Sequence, residues 1–263
     1  MQFGLSGKSA LVCAASKGLG KASAMALAAE GAHVAICARD RAVLDSALED
    51  IRRLSGGRAT AIAADLSKPD DISRVVAGTV KAFGGLDILV TNTGGPRSAP
   101  FEALSDADWI SAVESMLFSV VRLVRDSIPH MRARGGGRII NITSVSVKQP
   151  IDSLVLSNAL RAAVTGLSKT LASELAHDNI LVNCVAPGYT GTDRVVELSE
   201  AIAAREGTTV ETVQRRTESK IPLGRMATPE EFGQVVAFLA SEPASYITGV
   251  TLQVDGGFVR SLL

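Results

Sequence analysis

The sequence predicts a doubly wound, parallel α/β sheet of about seven strands with helices on both faces, and three observations carry that expectation. Short apolar runs alternate with longer stretches of helical spacing along the whole chain. Most runs are apolar throughout rather than at every second residue, the pattern of strands buried on both faces. Glycine, proline or polar residues follow nearly every run, so the unusual chemistry collects at one rim, the carboxyl ends of the strands, where such sheets bind ligands.

Residues 9–14 are the expected first strand, which turns through Ser16, Lys17 and Gly18 into a helix over 19–30, stopped by Gly31. A helix starting there aims its unpaired N–H groups and positive dipole end at the turn, which favours an anion. Gly18 and Gly20 carry no Cβ to obstruct a pyrophosphate or the packing of helix on strand. A plain tight turn is the alternative reading of these residues taken alone.

Strand two, 33–38, runs into Arg39 and Asp40, where Asp40 caps a helix to about residue 54. Strand three, 59–64, ends at Asp65-Leu66, and Pro69 with Asp70 and Asp71 opens a helix to about residue 83. Strand four, 86–91, breaks at Asn92-Thr93-Gly94-Gly95-Pro96, and one long helix is expected over about 106–134. Strand five, 138–143, leads into Ser144, a polar segment and a helix over about 153–176. Strand six, 180–185, ends at Pro187-Gly188. A charged helical stretch near 195–217 falls in a segment, about 190–222, expected to cover a substrate. A helix over 229–240 and a strand over 251–254 complete a single domain spanning 1–263.

Lys and Arg total 27 and Asp and Glu total 27, so the chain has no electrostatic footprint for nucleic acid or an anionic membrane. No apolar run approaches the roughly 18 residues of a membrane span, and the N-terminus lacks a basic region followed by an apolar one. A cytoplasmic protein with small-molecule partners is expected. Cys13, Cys37 and Cys184 are an odd number, each inside an expected strand, and read as small buried hydrophobes. Three scattered histidines give no ligand spacing, so no metal site is expected.

The order and spacing of these elements resemble the short-chain dehydrogenase/reductase family over essentially the whole chain. Pro222-Leu223-Gly224-Arg225, Pro229-Glu230-Glu231 and Tyr246-Ile247-Thr248-Gly249 through Val254-Asp255-Gly256-Gly257 resemble its 3-oxoacyl-(acyl carrier protein) reductase-like members. The resemblance implies a Rossmann-type fold in which Gly18, Leu19 and Gly20, in the turn begun by Ser16, contact pyrophosphate. It implies that Asp65 and Leu66 hold adenine, that Asn92, Thr93 and Gly94 line the ribose, and that Pro187, Gly188 and Thr192 flank nicotinamide. It also implies a homotetramer built through the two long helices and the C-terminal segment. Asp65 has its own physical reading, since its carboxylate can accept from an exocyclic amine, with a helix-start role as the alternative.

Cofactor choice follows from the end of strand two, where an acid would favour NAD and a cation the 2′-phosphate of NADP. Arg39 offers a forked donor and Lys17 can add charge, so NADP is expected, with NAD still open. A solvated Arg39 neutralised by Asp40 is the bland alternative.

The family's catalytic pattern is where this chain departs. Typical members have Asn in the long helix, then Ser, then Tyr-x-x-x-Lys. Ser144 fits the serine position, but Ser157 and Arg161 stand at the Tyr and Lys positions, Met116 at the Asn position and Ala14 at the first glycine. Some atypical members read Ser-x-x-x-Arg with a Thr-Asn-Thr-Gly-Gly-Pro segment, and this chain resembles them. Carbonyl reduction needs a hydride on carbon and a proton on oxygen. An aliphatic hydroxyl is a far weaker acid than a phenol, and arginine holds its proton, so neither replacement is a natural donor.

Two readings follow: an NADP-dependent oxidoreductase of a carbonyl or secondary alcohol with Ser144 and Arg161 polarising oxygen, or a nucleotide-binding sensor or assembly protein of the same fold without turnover. Lys148, four residues past Ser144, is the replacement donor the sequence suggests, against the alternative of a solvated loop lysine. Arg39→Asp is expected to weaken NADP binding much more than NAD binding when both are titrated by calorimetry. Unchanged discrimination would remove Arg39 from the 2′-phosphate site.

Overall fold

The computed structural model describes residues 2–55 and 57–262. Its strands are β1 (Ser9–Val12), β2 (His33–Ala38), β3 (Ala59–Ala63), β4 (Ile88–Thr91), β5 (Gly137–Ile142), β6 (Ile180–Pro187) and β7 (Thr251–Val254). Its principal helices are α1 (Gly18–Ala29), α2 (Arg41–Leu54), α3 (Pro69–Phe83), α4 (Asp106–Ala112), α5 (Ser119–Ala133), α6 (Val155–Glu174), α7 (Asp193–Glu206), α8 (Val210–Glu218) and α9 (Pro229–Ala240). The seven strands form one parallel sheet in the order β3-β2-β1-β4-β5-β6-β7.

Alternate residues of the central strands enter different cores. Ala10, Val12, Val34, Ile36, Ile88 and Val90 pack with Leu27, Leu44, Phe232 and Val236 from α1, α2 and α9. Leu11, Cys13, Ala35, Cys37 and Leu89 pack on the other face with Ile72, Val75, Leu123 and Val164 from α3, α5 and α6. Both faces are dry, which is why these strands read as continuous apolar runs rather than alternating ones. The three cysteines are free and buried.

Two expectations need correction. The 106–134 stretch is not a uniform helix: α4 and α5 are joined by a π-helical segment, Val113–Phe118, in which the Ser119 N–H bonds Glu114 O. The wider turn loosens the carbonyl ladder, and serine hydroxyls bond into it, Ser115 Oγ to Ser111 O at 2.9 Å and Ser119 Oγ to Ser115 O at 2.6 Å. The 195–217 stretch is two helices, because Gly207 ends α7 and Thr209 caps α8, its hydroxyl accepting from the Thr212 N–H at 3.2 Å. Asp40 caps α2 as expected, accepting from the Val43 N–H.

Ala14 follows β1 with φ +46°, the left-handed region. A Cβ there costs roughly 1–2 kcal/mol, partly offset because glycine is freer in the unfolded chain. Ala14→Gly should therefore raise stability by about 0.5–1 kcal/mol, an increase of a few degrees in Tm. Denaturant unfolding of the two proteins checks it; a loss of stability would show that Ala14 carries no strain.

Candidate functional site

The carboxyl rim of the sheet opens into one cleft of about 1680 Å³. At one end lies the turn after β1. An added Cβ at Gly20 would sit 2.4 Å from Ala14 O and 2.8 Å from Asn92 Nδ2, so only glycine lets α1 close on the strand end. Asn92 braces the same turn, its Nδ2 donating to Ala14 O at 3.3 Å. No side chain caps the N-terminus of α1, which leaves its first N–H groups facing the cleft beside Ser16, Lys17, Gly18 and Leu19. Gly20 itself lies behind this wall rather than on it.

Arg39, Asp65 and Leu66 line the cleft beyond β2 and β3. Asp40 is occupied as the α2 cap, and Arg39 makes no hydrogen bond or ion pair among the described residues. Lys17, by contrast, reaches Asp193 at 3.1 Å across the cleft mouth; both side chains are well exposed, at 62% and 70%, so the pair is weak and its ammonium points toward α7. Asp65 spends one oxygen locally, accepting from the Ser67 N–H and hydroxyl, and these bonds hold its carboxyl below the usual range. The helix-start reading of Asp65 thus accounts for one oxygen, and the other accepts no hydrogen bond among the described residues.

Asn92, Thr93 and Gly94 line the middle of the cleft, with Pro187, Gly188 and Thr192 facing them from β6 and the start of α7. At the far end are Ser144, Ser157 and Arg161. A buried polar chain sets α6 against β5: Thr91 Oγ1 donates to Asn141 Oδ1 at 2.6 Å, and Asn141 Nδ2 donates to Ser168 Oγ at 2.8 Å. Arg161 then donates from Nη1 to Ile142 O at 3.0 Å and from Nε to Ser157 Oγ at 3.2 Å. Desolvation, with the neighbouring charge of Arg194, pushes the Arg161 guanidinium down to about 10, so it stays charged at neutral pH. Behind it lies a pocket of only about 10 Å³, walled by Met116, Asn92 and Val164. The Met116 thioether offers no proton to pass through it.

Lys148 is not on the cleft wall, although Ser144, Val145 and Gln149 through Leu154 are. Its backbone N–H closes a short turn onto Val145 O, and the chain enters the cleft on either side of it. Sequence reasoning missed Tyr189, Arg194 and Asp152, all on the wall. Tyr189 packs edge-on against Phe258, and burial together with the Asp152 charge raises its phenol. Its place two residues beyond Pro187 was a usable signal; Arg194 had none beyond its helix. Residues of α7 and α8, within the 190–222 segment, also line the cleft.

No helix among the described residues is long and apolar enough to cross a membrane, and none of their acidic, histidine or cysteine side chains gather as a metal site. Residues 13–259 match the family described as Enoyl-(Acyl carrier protein) reductase. A 3-oxoacyl-[acyl-carrier-protein] reductase of Thermotoga maritima is 35% identical over 255 residues, 97% of this chain and 99% of that protein. Dehydrogenase/reductase SDR family member 4 of Bos taurus is 36% identical over 261 residues, covering 98% and 89%. Among solved structures, L-sorbose reductase from Gluconobacter frateurii, complexed with NADPH and L-sorbose, superposes with a TM-score of 0.95 at 35% identity over 100% of both chains.

Proposed function

The chain belongs to the short-chain dehydrogenase/reductase family, and on that premise we propose that it is an NADP-dependent oxidoreductase of the 3-oxoacyl reductase-like type, acting on a small carbonyl or secondary alcohol. The observation that carries this reading is a single cleft running from an uncapped helix N-terminus and an unpaired Arg39 to Ser144, Ser157 and Arg161. The residues present fit the dinucleotide. The α1 N-terminus takes the pyrophosphate, Arg39 the 2′-phosphate, the free Asp65 oxygen the adenine amine, and Asn92 to Gly94 the ribose. When bound, the dihydronicotinamide supplies the hydride that reduces the carbonyl carbon.

The chain's own part is to hold the carbonyl oxygen and protonate it. Ser144 and Ser157 offer hydroxyl donors, and Arg161 stabilises negative charge as it develops. Orientation and electrostatics thus carry more of the catalysis than in relatives with a tyrosine donor. The proton needs an acid that is protonated at neutral pH and borders the cleft. Of the chain's two tyrosines, Tyr246 is fully exposed at 102%, and Tyr189 lines the cleft. Tyr189 borders the cleft and Lys148 does not, which makes Tyr189 the proposed donor; burial and the Asp152 charge raise its phenol, so it keeps its proton at neutral pH but is a weaker acid than an unperturbed tyrosine. A complete donor set around one cleft favours turnover over the sensor reading.

The assembly we propose is a cytoplasmic homotetramer. Ile110 (66% exposed) and Phe118 on the α4–α5 outer face, and Val250 and Leu252 at the β7 sheet edge, leave apolar surface for a second copy to cover.

Tyr189→Phe is expected to lower kcat by about 10²–10⁴ without changing NADPH affinity, as steady-state kinetics and a calorimetric NADPH titration check. Lys148→Met should leave turnover near that of the parent; the reverse pattern would return the donor role to Lys148. Light scattering at micromolar concentration should give four times the chain mass, and a monomer there would remove the tetramer.

A further inference from the structure

Arg161 has five N–H donors, and the fold occupies only part of them. Nε and Nη1 are bound to Ser157 and Ile142, while Nη2 has no acceptor and no carboxylate lies within ion-pair distance among the described residues. Arg161 borders a small pocket with Asn92 and Thr93, two residues before the Gly95 that a second cation, Arg194, lies over on the same cleft wall. A partly buried guanidinium without a counter-ion is a costly arrangement that an anion relieves.

Arg194 is itself held in place. Its Nη2 donates to Pro96 O at 3.2 Å, and the side chain lies over Gly95, where an added Cβ would fall 2.9 Å from Nε. Glu197 is its one acidic partner, at a long 3.4 Å and on the exposed side. The other acids on the cleft wall are engaged elsewhere. Asp193 pairs with Lys17, Glu206 with Arg216, and Asp40 and Asp65 accept local hydrogen bonds. Asp152 is the exception: it makes no hydrogen bond or ion pair among the described residues, and its charge acts on Tyr189.

On the reading above, Arg39 takes the 2′-phosphate and the α1 N-terminus, which adjoins the start of α7 through Lys17 and Asp193, takes the pyrophosphate. A ribose beside the nicotinamide presents only neutral hydroxyls, so an anion for the open edge of Arg161 comes with the substrate. We propose, resting on the reading of this cleft as a carbonyl reductase site, that the substrate is an oxo acid whose carboxylate sits between Arg161 and Arg194. The planar fork of Arg161 spans the carbonyl oxygen and the neighbouring carboxylate, a geometry that the single ammonium of lysine at this position does not offer. The Ser-x-x-x-Arg pattern is then a specificity device as well as a departure in the proton route.

The test compares acids with neutral amides of the same shape. Acetoacetate and acetoacetamide, and pyruvate and pyruvamide, are offered to the NADPH-loaded protein, and 3-hydroxybutyrate and its amide are titrated calorimetrically into the NADP⁺-loaded protein. The acid should be preferred by about tenfold to a hundredfold in kcat/KM and in affinity. Arg194→Gln should bring that ratio toward one, and Arg194→Lys should restore part of it. Amides turned over as well as acids would overturn the proposal and leave the reductase reading standing. A 3-hydroxybutyrate preference lost in Arg194→Gln, with no turnover of either class, would uphold the anion site and overturn the reductase reading. Neither turnover nor an acid preference in binding would overturn both.

Discussion

A Cβ at Gly20 would lie 2.4 Å from the Ala14 carbonyl oxygen, and on that closeness the ligand side of the molecule depends. It brings the start of α1 down onto the end of β1, so that uncapped N–H groups face the cleft instead of solvent. Asn92 Nδ2 donates to the same carbonyl oxygen, which ties the end of β4 to the turn. One crowded point therefore aligns the pyrophosphate end of the cleft with its middle. The left-handed Ala14 is part of this geometry, and the strain it carries is stored where the turn is tightest.

The other end of the cleft is aligned by hydrogen bonds inside the sheet. Thr91, Asn141 and Ser168 are buried polar groups, and each finds a partner, so their desolvation is compensated and they specify how α6 lies on β5. Arg161 continues this line by bonding the Ile142 carbonyl at the strand end. The guanidinium is thus fixed by the sheet itself and not by a carboxylate. Its Nη2 edge stays open toward the cleft, with no carboxylate within ion-pair distance among the described residues.

Charge is distributed along the cleft by which acids are already engaged. Asp40 is used as a helix cap and Arg39 is left with only the through-space charge of Asp65, while Lys17 pairs with Asp193. Two cations that look alike in sequence therefore differ in use: Arg39 is available to a phosphate, and Lys17 bridges the mouth to α7.

The sheet, its helices and the glycine turn were legible in the sequence because they rest on local rules: continuous apolar runs for strands buried on both faces, and Asp40, Pro69 and Gly31 as start and stop signals. So was the rim location of Ser16, Arg39, Asp65, Asn92, Ser144 and Pro187, since parallel strands all end on one side. The π-helical turn at Val113–Phe118 was not, because its serine-to-carbonyl bonds leave the apolar spacing of a helix unchanged. Spacing did not show that Lys148 misses the cleft, because the short turn that closes its N–H onto Val145 O carries the chain past the wall there, while Tyr189, just beyond Pro187, lies on it. The sequence alone determined which chemical groups reach the rim, because periodicity and turn residues act within a few positions. Only the tertiary structure decided which of them are free to act, because Asp193 meeting Lys17 and Arg194 nearing Arg161 join elements far apart in the chain.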